Sequence, residues 1–216
     1  MAFTRLFVEA AVDTTTGTDS SGCTLIVVFV SQDTAAQGIT DSKGNTWTAS
    51  TAQTGGAGFN TTGKFLYCVN PTVGTGHTFS AAVAYGSIFA FGYTGNAASP
   101  FEQFSGQSQV TPGTNSVAGS ILPTEDNCLV LAAVGTGDAT SGYSVDAYVT
   151  IIADIHGATG TNYGGVVGED IQTTATFDAP TFSWTGTATR YGVMISFKPL
   201  VASAGGNYYG QVGYYQ

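Results

Sequence analysis

Two histidines, His77 and His156, are the only imidazoles in 216 residues, so any serine- or cysteine-based nucleophile in this chain would have to use one of them. His77 sits in a Gly-Thr-Gly-His turn, and His156 follows Asp154 and precedes Gly157. Both read as loop histidines, and no G-x-S-x-G elbow accompanies either. Glycoside hydrolysis would need two carboxylates facing each other across a cleft. Glu102, Glu125, Asp126, Glu169 and Asp170 are the candidates, and no spacing selects a pair. Glu125 and Asp126 read as a turn before the strand at Cys128, and neighbours such as Glu169 and Asp170 point to opposite faces of an extended strand. Calcium would need oxygen-rich loops. Those with Asp33, Asp41, Asp138 and Asp146 qualify in composition, but none follows the D-x-[DN]-x-[DN]-G pattern. The reading is of no cofactor, with calcium the one ion left open. Cys23, Cys68 and Cys128 are odd in number and far apart, which fits buried thiols better than a disulfide framework or a zinc site. No phosphate-binding G-x-x-x-x-G-K-[ST] loop is present.

The scarcity of charge explains this thin inventory. Only 9% of residues are charged, five of them Lys or Arg, and the net charge is −9. That excludes the Lys/Arg clusters that bind nucleic acid and argues against docking on an anionic membrane. The first residues, MAFTRLFVE, are interrupted by a charge too early for the apolar core of a secretory leader. Synthesis without a signal peptide, in a cytosol, is therefore expected.

The elements that would position these groups are strands. Helical periodicity with caps is absent throughout. Residues 23–30 (CTLIVVFV) form an apolar β-branched run suited to a strand covered on both faces. The segment 41–48 (DSKGNTWT) reads as a hairpin, with Gly44 and Asn45 at positive φ and Trp47 opening the return strand. Further strands are expected at 64–69, 78–83 and 87–93. The second half repeats the layout. Residues 128–134 (CLVLAAV) mirror 23–30, and middle strands fall at 148–153 and 164–170. Thr181-Phe182-Ser183 matches Thr78-Phe79-Ser80, Tyr191-Gly192 matches Tyr85-Gly86, and Phe197 matches Phe91, at offsets of about 103–106 residues.

This predicts an all-β protein, a jelly-roll or related Greek-key sandwich of about 8–10 strands built as a pseudo-repeat of two halves, about 20–95 and 126–199. Residues 1–200 are expected to form a single domain. The Gly/Ser/Thr-rich stretch 105–122 reads as the linker between the halves. Residues 201–216 form an extended Tyr/Gly-rich tail too poor in apolar bulk to build a core.

The segment Thr40–Trp47 (TDSKGNTW), the preceding apolar strand from Gly22 and the closing Ile195-Ser196-Phe197-Lys198 resemble bacteriophage virion surface proteins of the jelly-roll or lectin-like sandwich type. The resemblance covers about residues 20–199. It implies a decoration, cement, fibre or tail-tip component at the virion surface, with no catalytic residues to carry over. The expected function is thus a non-enzymatic capsid decoration or cement protein, a homotrimer touching the major capsid protein or neighbouring copies. Tyr208, Tyr209, Tyr214 and Tyr215 of the tail would make subunit contacts. The alternative is a fibre or tail-tip module binding a surface glycan or receptor through Tyr143, Asp146, His156 and Tyr163, since tyrosine pairs an apolar face with a polar tip.

Overall fold

The structure is a computed structural model that describes residues 2–33, 38–56, 61–82, 84–137, 139–157 and 163–201. Among the described residues all regular structure is β, so no helix is long and apolar enough to cross a membrane. The strands in chain order are β1 (Thr4–Val12), β2 (Leu25–Asp33), β3 (Ile39–Asp41), β4 (Thr48–Ala49), β5 (Gln53–Thr54), β6 (Thr61–Val69) and β7 (Phe79–Ala81). They continue with β8 (Ser87–Thr94), β9 (Asn96–Val117), β10 (Leu129–Thr136), β11 (Ser141–Val145), β12 (Thr150–Ile155), β13 (Gly164–Ile171) and β14 (Thr181–Pro199).

The all-β sandwich is as expected, with more strands than the 8–10 anticipated. The first half builds one antiparallel sheet in the order β1-β8-β2-β6-β4, with β5 also on β6. The second builds another in the order β12-β13-β10-β14, where β11 and β9 both pair with β14. The central strands β2 and β10 are buried along almost their whole length, which is why both read as unbroken apolar runs. Their alternate side chains feed separate clusters. Leu25, Val27 and Phe29 meet Leu129, Leu131 and Ala133 in a core shared by the two sheets. Ile26, Val28 and Val30 pack outward under Phe7, Phe79 and Trp47, while Val130, Ala132 and Val134 pack outward under Phe182 and Trp184.

The pseudo-repeat extends to register. Val27 lies opposite Phe91 on β8, and Leu131, 104 residues later, lies opposite Ile195 on β14. Asp41 pairs Phe79 as Val145 pairs Phe182. The bulge that skips Leu6 between Arg5 and Phe7 recurs at Glu102, between Phe101 and Gln103. Gly22 and Asn127, each next to the cysteine before its central strand, both have positive φ. β1 is thus the counterpart of β9, and β4 with β5 the counterpart of β12. Since β1 packs near β12 and β5 near β9, exchanging the halves maps one contact onto the other, the isologous geometry of a two-fold dimer.

Four expectations change. The match of Tyr191 to Tyr85 and Phe197 to Phe91 is two residues out of step: the ladders place Ser87 opposite Ser31 as Tyr191 is opposite Gly135, and Tyr93 opposite Leu25 as Phe197 is opposite Leu129. Chance aromatic matches overrode the burial pattern. Second, the stretch 105–122 is mainly the long strand β9, its Gly, Ser and Thr residues lying on a partly exposed ladder; Pro112 falls where the register slips between Gln109 and Gly113. Third, residues 41–48 are no two-stranded hairpin. β3 pairs with β7 and β4 with β6, because the Asp41 carboxylate accepts the amides of Lys43 and Asn45 and curls the chain into a side-chain-held turn. Gly44 has the expected positive φ of 72°, whereas Asn45, expected to share it, does not. Fourth, the N-terminal segment read only as a failed leader is strand β1.

Candidate functional site

Three residues distant in sequence converge beneath the outer face of the first sheet. His77 Nε2 lies 3.0 Å from Asp41 Oδ1, and His77 Nδ1 lies 2.8 Å from Ser20 Oγ. This is the connectivity of a serine–histidine–aspartate relay. Asp41 also accepts the indole N–H of Trp47 at 2.9 Å. Burial pushes its pKa up, but the hydrogen bonds from Trp47, Lys43 and His77 outweigh that and hold the carboxyl below its usual range. With Asp41 ionised, the imidazole carries its proton on Nε2 and accepts from Ser20 on Nδ1. Burial keeps His77 below its ordinary pKa despite the neighbouring carboxylate.

The relay has no access to a substrate. Ser20 and His77 are 0% exposed, and Ser20 Oγ also accepts the Gly74 amide at 3.0 Å. The His77 ring stacks on Phe79 at 4.4 Å. What the arrangement does is bind three loops together, joining residue 20, the turn at 41–47 and the segment at 74–77. A serine-directed fluorophosphonate probe is therefore expected to leave Ser20 unlabelled in the native protein; stoichiometric labelling at Ser20 would show that the enclosure opens. The sequence offered no signal for this cluster, because no fixed spacing connects Ser20, Asp41 and His77.

The matching place in the second half holds different groups. The bridge Thr18–His77 corresponds to Ile121–Asp178, and there the buried Asp178 accepts Gln172 Nε2 at 2.9 Å. Burial first, and the charge of Asp170 second, raise the Asp178 pKa to about 6. A carboxyl with a raised folded-state pKa contributes its full stability below its unfolded value near 3.8, and loses it as pH rises through about 6. Asp178→Asn is expected to remove that loss, at about 1.4 kcal/mol for each pKa unit. The urea midpoint of the variant should equal wild type near pH 4 and exceed it at pH 8; equal midpoints at both values would contradict the assignment. His77 acts in the opposite sense, since its lowered pKa costs stability as pH falls below about 6.5.

The other candidate groups serve the framework. Glu102 accepts the backbone N–H and hydroxyl of Thr124, each at 2.6 Å, and the Ser196 hydroxyl at 3.0 Å. Glu125 pairs with Lys198, and Asp126 accepts the Ala175 amide. Burial pushes the thiols of Cys23 and Cys128 up to about 11 and about 12, which keeps them protonated and unreactive near neutral pH. All three cysteines are free and buried. Among the described residues no group of three or more His, Cys, Asp or Glu could hold a metal ion; Asp138 lies outside them.

Of the residues expected to bind a glycan, the structure brings Tyr143 and His156 together, with ring centroids 5.8 Å apart. The Tyr143 hydroxyl bonds Thr136 and Thr140, and His156 faces Asp154 at 3.0 Å. Asp146 is occupied by the amides of Ala147 and Thr181. Tyr163 directs its hydroxyl to Asp33. Tyr208, Tyr209, Tyr214 and Tyr215 lie outside the described residues.

One open feature was missed from sequence. Arg5 faces Tyr93 across β1 and β8 as Phe101 faces Phe197 across β9 and β14, and Glu169 faces Leu131 as Tyr67 faces Val27. The same structural position is therefore ionic in one copy and aromatic in the other. Arg5 Nη1 meets Glu169 Oε1 at 2.5 Å and the Tyr93 hydroxyl donates to Glu169 Oε2 at 2.6 Å, closing that edge. At the counterpart edge Tyr67 and Phe101 stack at 5.7 Å with planes 3° apart, and Phe197 meets Tyr67 edge-on at 5.3 Å. Phe101 is 43% exposed. Beside it opens a depression of about 370 Å³ lined by Tyr67, Val69, Ala98, Ser99, Pro100 and Phe101. Only the duplication in register makes the exchange visible. Comparison with protein-family models, curated proteins and solved structures returned no match.

Proposed function

We propose that this chain is a non-enzymatic structural protein of a virion surface, a decoration or cement subunit that stabilises the particle through contacts with the capsid and with neighbouring copies. The observation that carries this reading is the disposition of polar chemistry. The Ser20–His77–Asp41 relay is sealed and fastens loops, whereas the depression at Tyr67 and Phe101 is open and apolar. A sheet pair with buried faces and tied loops suits a mechanical part. The resemblance of residues 20–199 to phage surface sandwiches supplies the setting, and a homotrimer is the expected assembly. The direct test is quantitative mass spectrometry of the purified source particle. Hundreds of copies per particle are expected; a few dozen or fewer would mean an appendage, and absence would overturn the assignment.

The pairing of Tyr143 with the half-exposed His156 favours one second reading, a glycan-binding module of a fibre or tail tip. A glycan array with and without Ca²⁺ tests it, and no signal in either condition counts against it.

A further inference from the structure

We propose that the Tyr67–Phe101 depression is a receptor for the C-terminal segment, residues 202–216, of a neighbouring copy of this chain. The inference rests on the structural-subunit reading and names the surface through which copies join.

The depression is apolar, with an exposed ring already stacked in it and Ser99 at the rim. Such a site suits a tyrosine, whose ring face can be buried while its hydroxyl stays wet. The segment 202–216 carries four tyrosines and no charged residue in a chain of net charge −9. It can therefore approach a second copy without adding to the mutual repulsion. The place where the described chain ends favours a neighbour over the same copy. Pro199 pairs with Asn96 at the start of β9, and β14 runs antiparallel to β9, so the chain leaves heading away from Ala98–Phe101. Leu200 donates its amide to Gly95 at 2.6 Å, and Val201 beyond it is exposed. Fifteen residues remain, enough to span roughly 50 Å when extended. At the pseudo-symmetric edge the Arg5–Glu169 ion pair stands where Phe101 and Tyr67 stack, so the apolar aromatic platform occurs at one of the two edges and each copy would present one receptor and one donor. This is a head-to-tail contact that closes into a ring when its rotation permits.

Sedimentation velocity of the full chain over a concentration series tests the proposal. Two variants address the receptor. Phe101→Ser removes the platform, and Ala98→Arg, at an exposed rim position, blocks it without touching the core, so that a folding defect in the first leaves the second informative. A third replaces Tyr208, Tyr209, Tyr214 and Tyr215 by Ser. Wild type should self-associate, and each variant should weaken association by about 10-fold or more, the loss of a central aromatic contact. Combining Ala98→Arg with the tyrosine variant should weaken it no further, because both sides of one contact are already gone. Photochemical dityrosine cross-linking of mixed light and ¹⁵N-labelled chains should give Tyr67–tail peptides of mixed label. Self-association unchanged in Ala98→Arg, cross-links of a single label only, or a monomer at every concentration would overturn the inference. None of those outcomes bears on the copy-number measurement, which judges the virion assignment separately.

Discussion

Asp41→Ala is expected to cost roughly 3–5 kcal/mol of folding stability, the range for removing one partner of a buried ionic network. The side chains of Asp41 and His77 are both fully enclosed. One carboxylate receives the Trp47 indole, the His77 imidazole, the amides of Lys43 and Asn45 and the Asn45 side chain. Alanine would leave the enclosed His77 imidazole N–H and the Trp47 indole N–H without their carboxylate acceptor, and a buried unsatisfied donor costs more than the net gain from forming its bond. Asp41→Asn keeps the shape and part of the accepting capacity and should lose less. Ser20→Ala removes only one end of the chain of bonds and should lose least. Against a typical total of about 5–15 kcal/mol, the alanine variant at Asp41 approaches the limit of folding. Chemical denaturation at pH 7 measures all three. Equal stability of Asp41→Ala and wild type would show that the network does not hold the loops.

Phe29→Ala should be comparably damaging, about 3–5 kcal/mol for a buried phenylalanine, and should reveal whether the halves fold as one. Phe29 packs on Phe65 and Phe89 of its own sheet, at 5.4 and 5.6 Å, and on Tyr191 of the other at 6.3 Å. Tyr191 reaches between Gly63 and Gly135, where any side chain would collide with its ring. The two tryptophans report separately, because Trp47 packs on Phe79 in the first half and Trp184 lies near Tyr143 in the second. Single-tryptophan forms, Trp184→Phe and Trp47→Phe, should unfold at the same denaturant concentration, and Phe29→Ala should move both midpoints together. A second-half signal that persists while the first half melts would mean two independent units.

How much of this was legible depended on where a residue's partner lies. Strands covered on both faces announce themselves, so residues 23–30 and 128–134 were read correctly and their repetition implied duplication. Strand β9 was hidden because its Gly, Ser, Thr and Pro residues match loop composition. It is held instead by a long ladder to β14, a partner some eighty residues away along much of its length. The turn at Asp41 was legible as an Asx-type turn and misread as a hairpin, since the second use of its carboxylate depends on His77 arriving from β7's approach. His77 itself was read as an ordinary turn histidine because turn composition carries no information about enclosure. The Arg5–Glu169 and Tyr67–Phe101 edges could not be matched from sequence, because the repeats differ there in residue type and correspond only in register. Residues 202–216, where sequence placed the subunit contacts, lie outside the described residues.

The proposed role is mechanical, the stabilisation of a particle. Source particles stripped of this protein and then supplied again with the purified full chain provide the direct measurement, read as the half-life of the particles at elevated temperature. Stripped particles should fail sooner, and re-addition of wild type should restore the original half-life. Stripped and intact particles of equal half-life would overturn that role.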